Sequence, residues 1–208
     1  MSTTPKIHLH KNDLPAGIDF GKEIAVDCEM MGLSLVRDRL CLVQLKGRNT
    51  DIHLVQIAKG QKDAPNLRKV LEDKNSVKIF HYARIDIATI KRWLNIDVKP
   101  VFCTKIASKM VRTYTDRHGL SANIRDLKGF DVSKQQANTD WGQDTLTTEQ
   151  MEYAASDVLY LHELKDFMEV TLKREDRMQL AQSCFDFLPT RAALDLLDWE
   201  EKDIFSHS

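Results

Sequence analysis

Short apolar runs broken by turn residues mark the first half of the chain, and helical spacing marks the rest. Between residues 23 and 57 the segments EIAVDCEM, LCLVQLK and DIHLVQI are β-branched or alternating, and Gly32, Arg37-Asp38 and Gly47-Arg48-Asn49 divide them. The pattern predicts three strands, antiparallel at first. A helix is expected over 64–72, then a strand over 77–81 that passes directly into a helix over 85–94, where Ile85, Ala88, Ile90 and Trp93 approximate helical spacing. Val101 and Phe102 form a short strand, after which 120–127, 147–172 and 174–197 read as helices. Strands first, then strand alternating with helix, then helices: this order predicts an α/β sheet with helices packed on it, in one domain.

Composition narrows the function classes. The chain has 208 residues, 42% hydrophobic and 29% charged. A folded soluble protein of this size buries roughly 70% of its unfolded surface and needs no disulfide to hold a core. Thirty basic residues stand against 31 acidic ones, a net charge of -1, which excludes a globally basic nucleic-acid binder or a polybasic membrane protein. Any polyanion must be held by local charge or by metal ions. Residues 105–136 carry seven basic and three acidic groups, whereas 140–169 carry eight acids and one Lys. Cys28, Cys41, Cys103 and Cys184 lie far apart among apolar neighbours and read as buried free thiols. The first twenty residues contain no uninterrupted apolar stretch, and no run approaches the roughly 20 residues of a membrane span. A reducing, cytoplasmic setting and no membrane partner are expected.

Three acidic features suggest chemistry. Asp27 and Glu29 in IAVDCEMMGL project from one face of a strand, with Cys28 directed to the opposite layer. Such like charges repel unless protonated or neutralised by a cation. Asp86, in KIFHYARIDIATIKRWL, opens a helix after an apolar strand, where the helix dipole also favours a carboxylate. Tyr153 and Asp157, in EQMEYAASDVLYLHEL, share one helical face with two small Ala residues between them. Each feature alone is common.

Taken in order, D-x-E on a first strand, D opening a mid-chain helix and Y-x-x-x-D on a late helix resemble the tyrosine-bearing branch of the DEDD exonucleases. The run SKQQANTDWGQDTLTTEQMEYAASDVLYLHEL is similar to that of ribonuclease D-like proteins, and the resemblance spans about residues 22–170. It implies a ribonuclease H-like mixed sheet flanked by helices, with Asp27, Glu29, Asp86 and Asp157 holding two divalent ions, Mg²⁺ or Mn²⁺, and Tyr153 orienting the attacking water. Phosphodiester hydrolysis needs an activated water, a stabilised leaving oxygen and charge neutralisation, which two ions about 3.5 to 4 Å apart supply together. Hard oxygen ligands select such ions, and the cysteines lack zinc spacing.

Substrate contacts are expected nearby. Met31, Gly32 and Leu33 follow the acidic pair and offer a wedge against a terminal base, a turn packed by Leu33 being the alternative. His81, Tyr82 and Arg84 precede Asp86 near any bound phosphate, although His81 also suits a satisfied core histidine. Tyr82 stands where many relatives carry Asn, so an Asn contact does not transfer and stacking replaces it. Before the last motif helix come Lys134, a phosphate candidate, with Gln136 and Asp140, and Trp141, either a core anchor or a border of the substrate groove. About 35 residues follow the motif helix, and their apolar positions Phe185, Phe187, Leu188, Leu194, Leu196, Leu197 and Trp199 either close the same domain or form an oligomer interface.

With FHYARID and DWGQDTL in its motifs, the chain looks like the nanoRNase C branch of alphaproteobacteria. That resemblance implies 3′-to-5′ release of nucleoside 5′-monophosphates from short RNA, dinucleotides included, with activity on DNA, and a ring-like homo-oligomer, an octameric ring being one form. A DNA-directed 3′-5′ exonuclease and a catalytically silent nucleic-acid adaptor are the alternatives.

Overall fold

A computed structural model describes residues 5–131, 136 and 139–207. Six strands, β1 (Ile7–Lys11), β2 (Glu23–Met30), β3 (Leu40–Gly47), β4 (Ile52–Gln56), β5 (Val77–Phe80) and β6 (Val101–Cys103), form one sheet in the order β1-β4-β3-β2-β5-β6. The near-continuous apolar run LCLVQLK makes β3 buried along its whole length, as a strand covered on both faces requires. Its neighbours β2 and β4 pair antiparallel to it, while β5 lies parallel to β2 and β6 parallel to β5. The sheet is mixed, as expected.

Among the described residues seven helices flank it: α1 (Pro65–Leu71), α2 (Ala83–Leu94), α3 (Thr104–Val111), α4 (Leu120–Lys128), α5 (Thr148–Leu159), α6 (Leu161–Arg174) and α7 (Met178–Asp195). Helix α5 packs against β1 to β4, and α2 against β2, β3, β5 and β6. The start of α5 is fixed by a capping box, in which Thr147 accepts from the Gln150 N–H and the Gln150 side chain accepts from Thr147. Buried Gln150 also donates to Thr139 Oγ1 at 3.0 Å and to the Asp140 carbonyl at 3.1 Å. The Leu-Thr-x-x-Gln motif therefore sets both the register of α5 and the loop before it.

Several elements differ from the sequence expectation. Strand β1 is additional: IHLHK is mostly exposed and pairs only along β4, so its alternation carries little apolar signal. The helix expected over 147–172 breaks at Tyr160, whose φ of -107° and ψ of 2° interrupt it and whose ring meets Phe130 edge-on at 5.6 Å. The last helix starts at Met178, because Asp176 adopts a positive φ of 54° just before it. All four cysteines are free, yet only Cys41 and Cys103 are buried; Cys28 and Cys184 are half-buried. Phe185 and Leu188 of α7 are buried, with the Phe185 ring 4.6 Å from Phe102, whereas Leu197 and Trp199 stay exposed. No helix among the described residues is long and apolar enough to cross a membrane.

Candidate active site

Strand β2 carries Asp27 and Glu29 toward α5, which presents Tyr153 and Asp157 one turn apart. Buried Ala154 and Ala155 leave room for the helix to lie close. One oxygen each of Asp27, Glu29 and Asp157 lies within 4.8 Å of the other two. Asp86 reaches the same region from the first turn of α2. There it meets the residue between the acidic pair: the Cys28 thiol and backbone N–H both donate to its carboxylate. Asp86 stands outside the 4.8 Å cluster but faces it electrostatically.

Crowding these acids in a dry site makes their ionisation costly. Burial, and then the charges of Asp86, Asp157 and Glu29, raise the Asp27 carboxyl well above its ordinary range. Burial with Asp157 and Asp86 pushes Glu29 up to about 9, and burial chiefly pushes Asp86 to about 7. No cationic side chain among the described residues offsets the three. An all-oxygen cluster with unbalanced charge fits a hard divalent cation.

Tyr153 is half-buried, and its hydroxyl hydrogen-bonds to Asp157; burial and the surrounding carboxylates raise its pKa. The phenol stays protonated, which suits a donor and not a base. Behind it, Trp141 is 2% exposed, with its ring 6.1 Å from Tyr153. Of the two readings of Trp141, core anchor or border of the groove, this burial favours the anchor: its apolar bulk backs the tyrosine.

The turn after β2 is shaped by Asp38. Its carboxylate accepts from the Ser34 N–H at 2.9 Å and from Arg37 Nε at 2.8 Å, and Arg37 holds it down to about 2. A Cβ at Gly32 would stand 2.5 Å from Asp38 Oδ2, so a larger residue there must displace the carboxylate that shapes the turn. Met31 and Leu33 on either side project outward, Leu33 at 92% exposure, which discards a turn packed by Leu33. Beside Met31 opens a cavity of about 560 Å³, lined also by Arg37, Arg39, Lys59, Trp93 and Asp140. Arg39 ties its walls together, donating to the carbonyls of Ile57 and Gly142 at 2.9 Å each.

The residues before Asp86 separate. His81 Nδ1 pairs with Thr104 Oγ1 at 2.9 Å, and burial with Lys105 nearby lowers its pKa to about 4, so the ring is neutral. Arg84 is engaged by α7: it grips Asp195 through Nε and Nη2 at 2.5 and 2.7 Å, so its guanidinium is already paired where the sequence suggested a contact near a bound phosphate. Tyr82, at φ 75°, is 42% exposed, and Lys105 Nζ lies 4.0 Å from its ring centroid. Lys134 falls outside the described residues. Three other cations of the basic stretch are paired internally, Arg112 with Asp126, Arg125 with Asp131 and Lys128 with Glu163.

One residue of the site escapes motif reading. Gln44, fully buried on β3, donates from Nε2 to Asp27 Oδ2 at 3.3 Å. Its signal in the sequence is a lone amide inside the apolar run LCLVQLK.

The family of 3′-5′ exonucleases matches residues 12–173. The structure resembles Brucella melitensis NrnC bound to pGG with a TM-score of 0.94 at 48% identity, covering 99% of this chain and 100% of that one. For Brucella melitensis NrnC with bound Mg²⁺ the TM-score is 0.93 at 48% identity, covering 98% and 100%. Ribonuclease D of Nitrobacter hamburgensis is 29% identical over 178 residues, 81% of this chain but 46% of the relative, so the chain spans about half of such proteins. A matched domain and a matched fold agree: the chain belongs to the family of 3′-5′ exonucleases, ribonuclease D-like and on the branch of the NrnC nucleases.

Proposed function

We propose that the chain removes nucleoside 5′-monophosphates from the 3′ ends of short RNA, dinucleotides included, with Asp27, Glu29, Asp86 and Asp157 holding two Mg²⁺ or Mn²⁺ ions. The observation that carries the reading is the clustering of Asp27, Glu29 and Asp157 oxygens within 4.8 Å beside Asp86, in surroundings that disfavour their charge. Bound divalent ions supply neutralisation of the phosphodiester charge and activation of water. The chain's own groups do the positioning. Tyr153, protonated and donating to Asp157, orients the water through its phenolic oxygen, which accepts from the water's O–H. Exposed Leu33 and Met31 bear on the terminal base, the Tyr82 ring offers a stacking face, and Lys134 is assigned a phosphate. Arg39 and Lys59 around the cavity beside Met31 supply local positive charge that the net composition lacks, Arg37 being paired with Asp38. The structures of NrnC with pGG and with Mg²⁺ support substrate and metal class by likeness.

Rates on 5′-labelled RNA dinucleotides, longer RNA, and single- and double-stranded DNA, with Mg²⁺, with Mn²⁺ and with EDTA, test the reading. Fastest release from dinucleotides and none with EDTA is expected. Equal activity with EDTA sinks the metal assignment, and faster cleavage of long DNA sinks the substrate assignment.

The same proposal includes a homo-oligomeric ring. Exposed Leu197, Trp199, Ile204 and Phe205 give apolar area for contacts between copies. Light scattering after size exclusion decides: a mass near 23.9 kDa at micromolar concentration removes the oligomer.

A further inference from the structure

We infer that Gln44 is a positioning residue for Asp27 and, through it, for metal binding; the inference rests on the two-ion reading above. The β2–β3 register sets Gln44 directly opposite Asp27, and Nε2 donates to Asp27 Oδ2 at 3.3 Å. Leu42, Val43 and Leu45 around it on β3 are fully buried, as is Gln44 itself, and its Oε1 has no hydrogen-bond partner among the described residues. An amide is a costly choice in a strand covered on both faces, because Leu or Met would leave no orphan carbonyl there. What the amide adds is a donor. Ionised carboxylates only accept, so Asp27, Glu29 and Asp157 cannot orient one another. Gln44 holds one oxygen of Asp27, which fixes the rotation of the carboxylate about Cβ–Cγ and makes its two oxygens inequivalent. Hydrogen bonds of this kind orient ligand groups for a metal, and losing one typically costs about 10- to 100-fold in metal affinity or activity.

The test is Gln44→Met in the full chain, an unbranched replacement of similar length. Three quantities are measured: the melting temperature of metal-free protein, Mn²⁺ affinity by calorimetry, and kcat and KM on a dinucleotide. We expect a metal-free melting temperature at or above that of wild type, an Mn²⁺ Kd raised by about tenfold or more, a lower kcat at limiting metal and an unaltered KM. In an Asp27→Asn background the same substitution should leave Mn²⁺ affinity unchanged, since the coupling runs through that carboxylate. If Gln44→Met does not fold, Gln44→Asn, which withdraws the donor but keeps an amide, must show the same rise in Kd. An Mn²⁺ Kd within about twofold of wild type in the folded variant makes Gln44 a packing residue and overturns the inference. A wild-type chain that takes no Mn²⁺ sinks the two-ion reading and this inference together; normal binding by wild type and variant alike sinks the inference alone.

Discussion

Arg84 and Asp195 form a bidentate ion pair, Nε to Oδ2 at 2.5 Å and Nη2 to Oδ1 at 2.7 Å, and Arg191 adds a second guanidinium to the same fully buried carboxylate. The pair joins the first turn of α2, two residues from Asp86, to a helix that lies beyond the matched exonuclease span of residues 12–173. Asp195→Ala leaves two guanidinium groups facing an apolar void. Because both arginines keep some solvent access, the loss of stability is expected at about 2–3 kcal/mol, at or below the lower end of the range for broken buried pairs. Urea unfolding measures it, and kcat of the folded variant should fall as Asp86 loses its anchorage. Wild-type kcat in Asp195→Ala would show that α2 is held by its packing alone.

The acidic cluster links stability to pH and metal. Glu29, ordinarily near 4.5, is raised to about 9, and Asp86, ordinarily near 3.8, to about 7. In the metal-free state the folded chain therefore keeps protons that the unfolded chain has released. Stability contributed by these groups is intact below their ordinary pKa values and is lost as pH rises toward the raised ones. Divalent cations compete with those protons, so the gain in melting temperature from saturating Mg²⁺ should be larger at about pH 8 than at about pH 5.5. Asp27→Asn should flatten the metal-free decline. A Mg²⁺ effect independent of pH would mean that the ion does not meet these carboxylates.

Tyr153 and Trp141 touch but should fail differently. Tyr153→Phe removes a hydroxyl that stays protonated because burial and Asp157 raise its pKa. It is expected to lower kcat by about 10². Trp141→Ala deletes a side chain that is 2% exposed, and it should cost about 3–5 kcal/mol of stability through the cavity it leaves. Steady-state kinetics and urea unfolding on both variants separate the roles, and a Phe variant with unaltered kcat makes Tyr153 a packing residue.

The readability of the site in the sequence follows from how local each signal is. Asp27 and Glu29 share a face because strand geometry alternates, and Tyr153 and Asp157 share one because a helix repeats; both relations need only neighbouring residues. Strands β2 to β5 emerge for the same reason, from their own apolar runs. Arg84 misled because its partner, Asp195, lies 111 residues away, and no local pattern announces an ion pair at that distance. Gln44 was silent because its meaning comes from a cross-strand register. Trp141 was ambiguous, since an indole before a helix suits a core or a groove, and only burial against Tyr153 decides. Strand β1 hides because an exposed edge strand need not be apolar.

Tyr82 sets stability against substrate binding. It caps α2 at φ 75°, a left-handed conformation that a bulky aromatic residue rarely adopts and that costs of order 1 kcal/mol. The strain turns the ring outward to 42% exposure, with Lys105 Nζ 4.0 Å from its centroid, at the junction of β5 and α2 from which Asp86 enters the site. A flat ring under a cation suits a nucleobase whose phosphate is near, and base stacking on an aromatic side chain is worth about 1–3 kcal/mol. Asn accepts the left-handed conformation far more readily. Tyr82→Asn should therefore keep or raise the melting temperature by a small margin while raising KM for a dinucleotide by about tenfold, with kcat nearly unchanged. Tyr82→Phe, which keeps the ring and the strain, should match wild type in both. The two variants are compared by thermal unfolding and by steady-state kinetics at saturating Mg²⁺. An Asn variant with wild-type KM would show that no base stacks on Tyr82, leaving the strained turn as a device for aiming Asp86 alone.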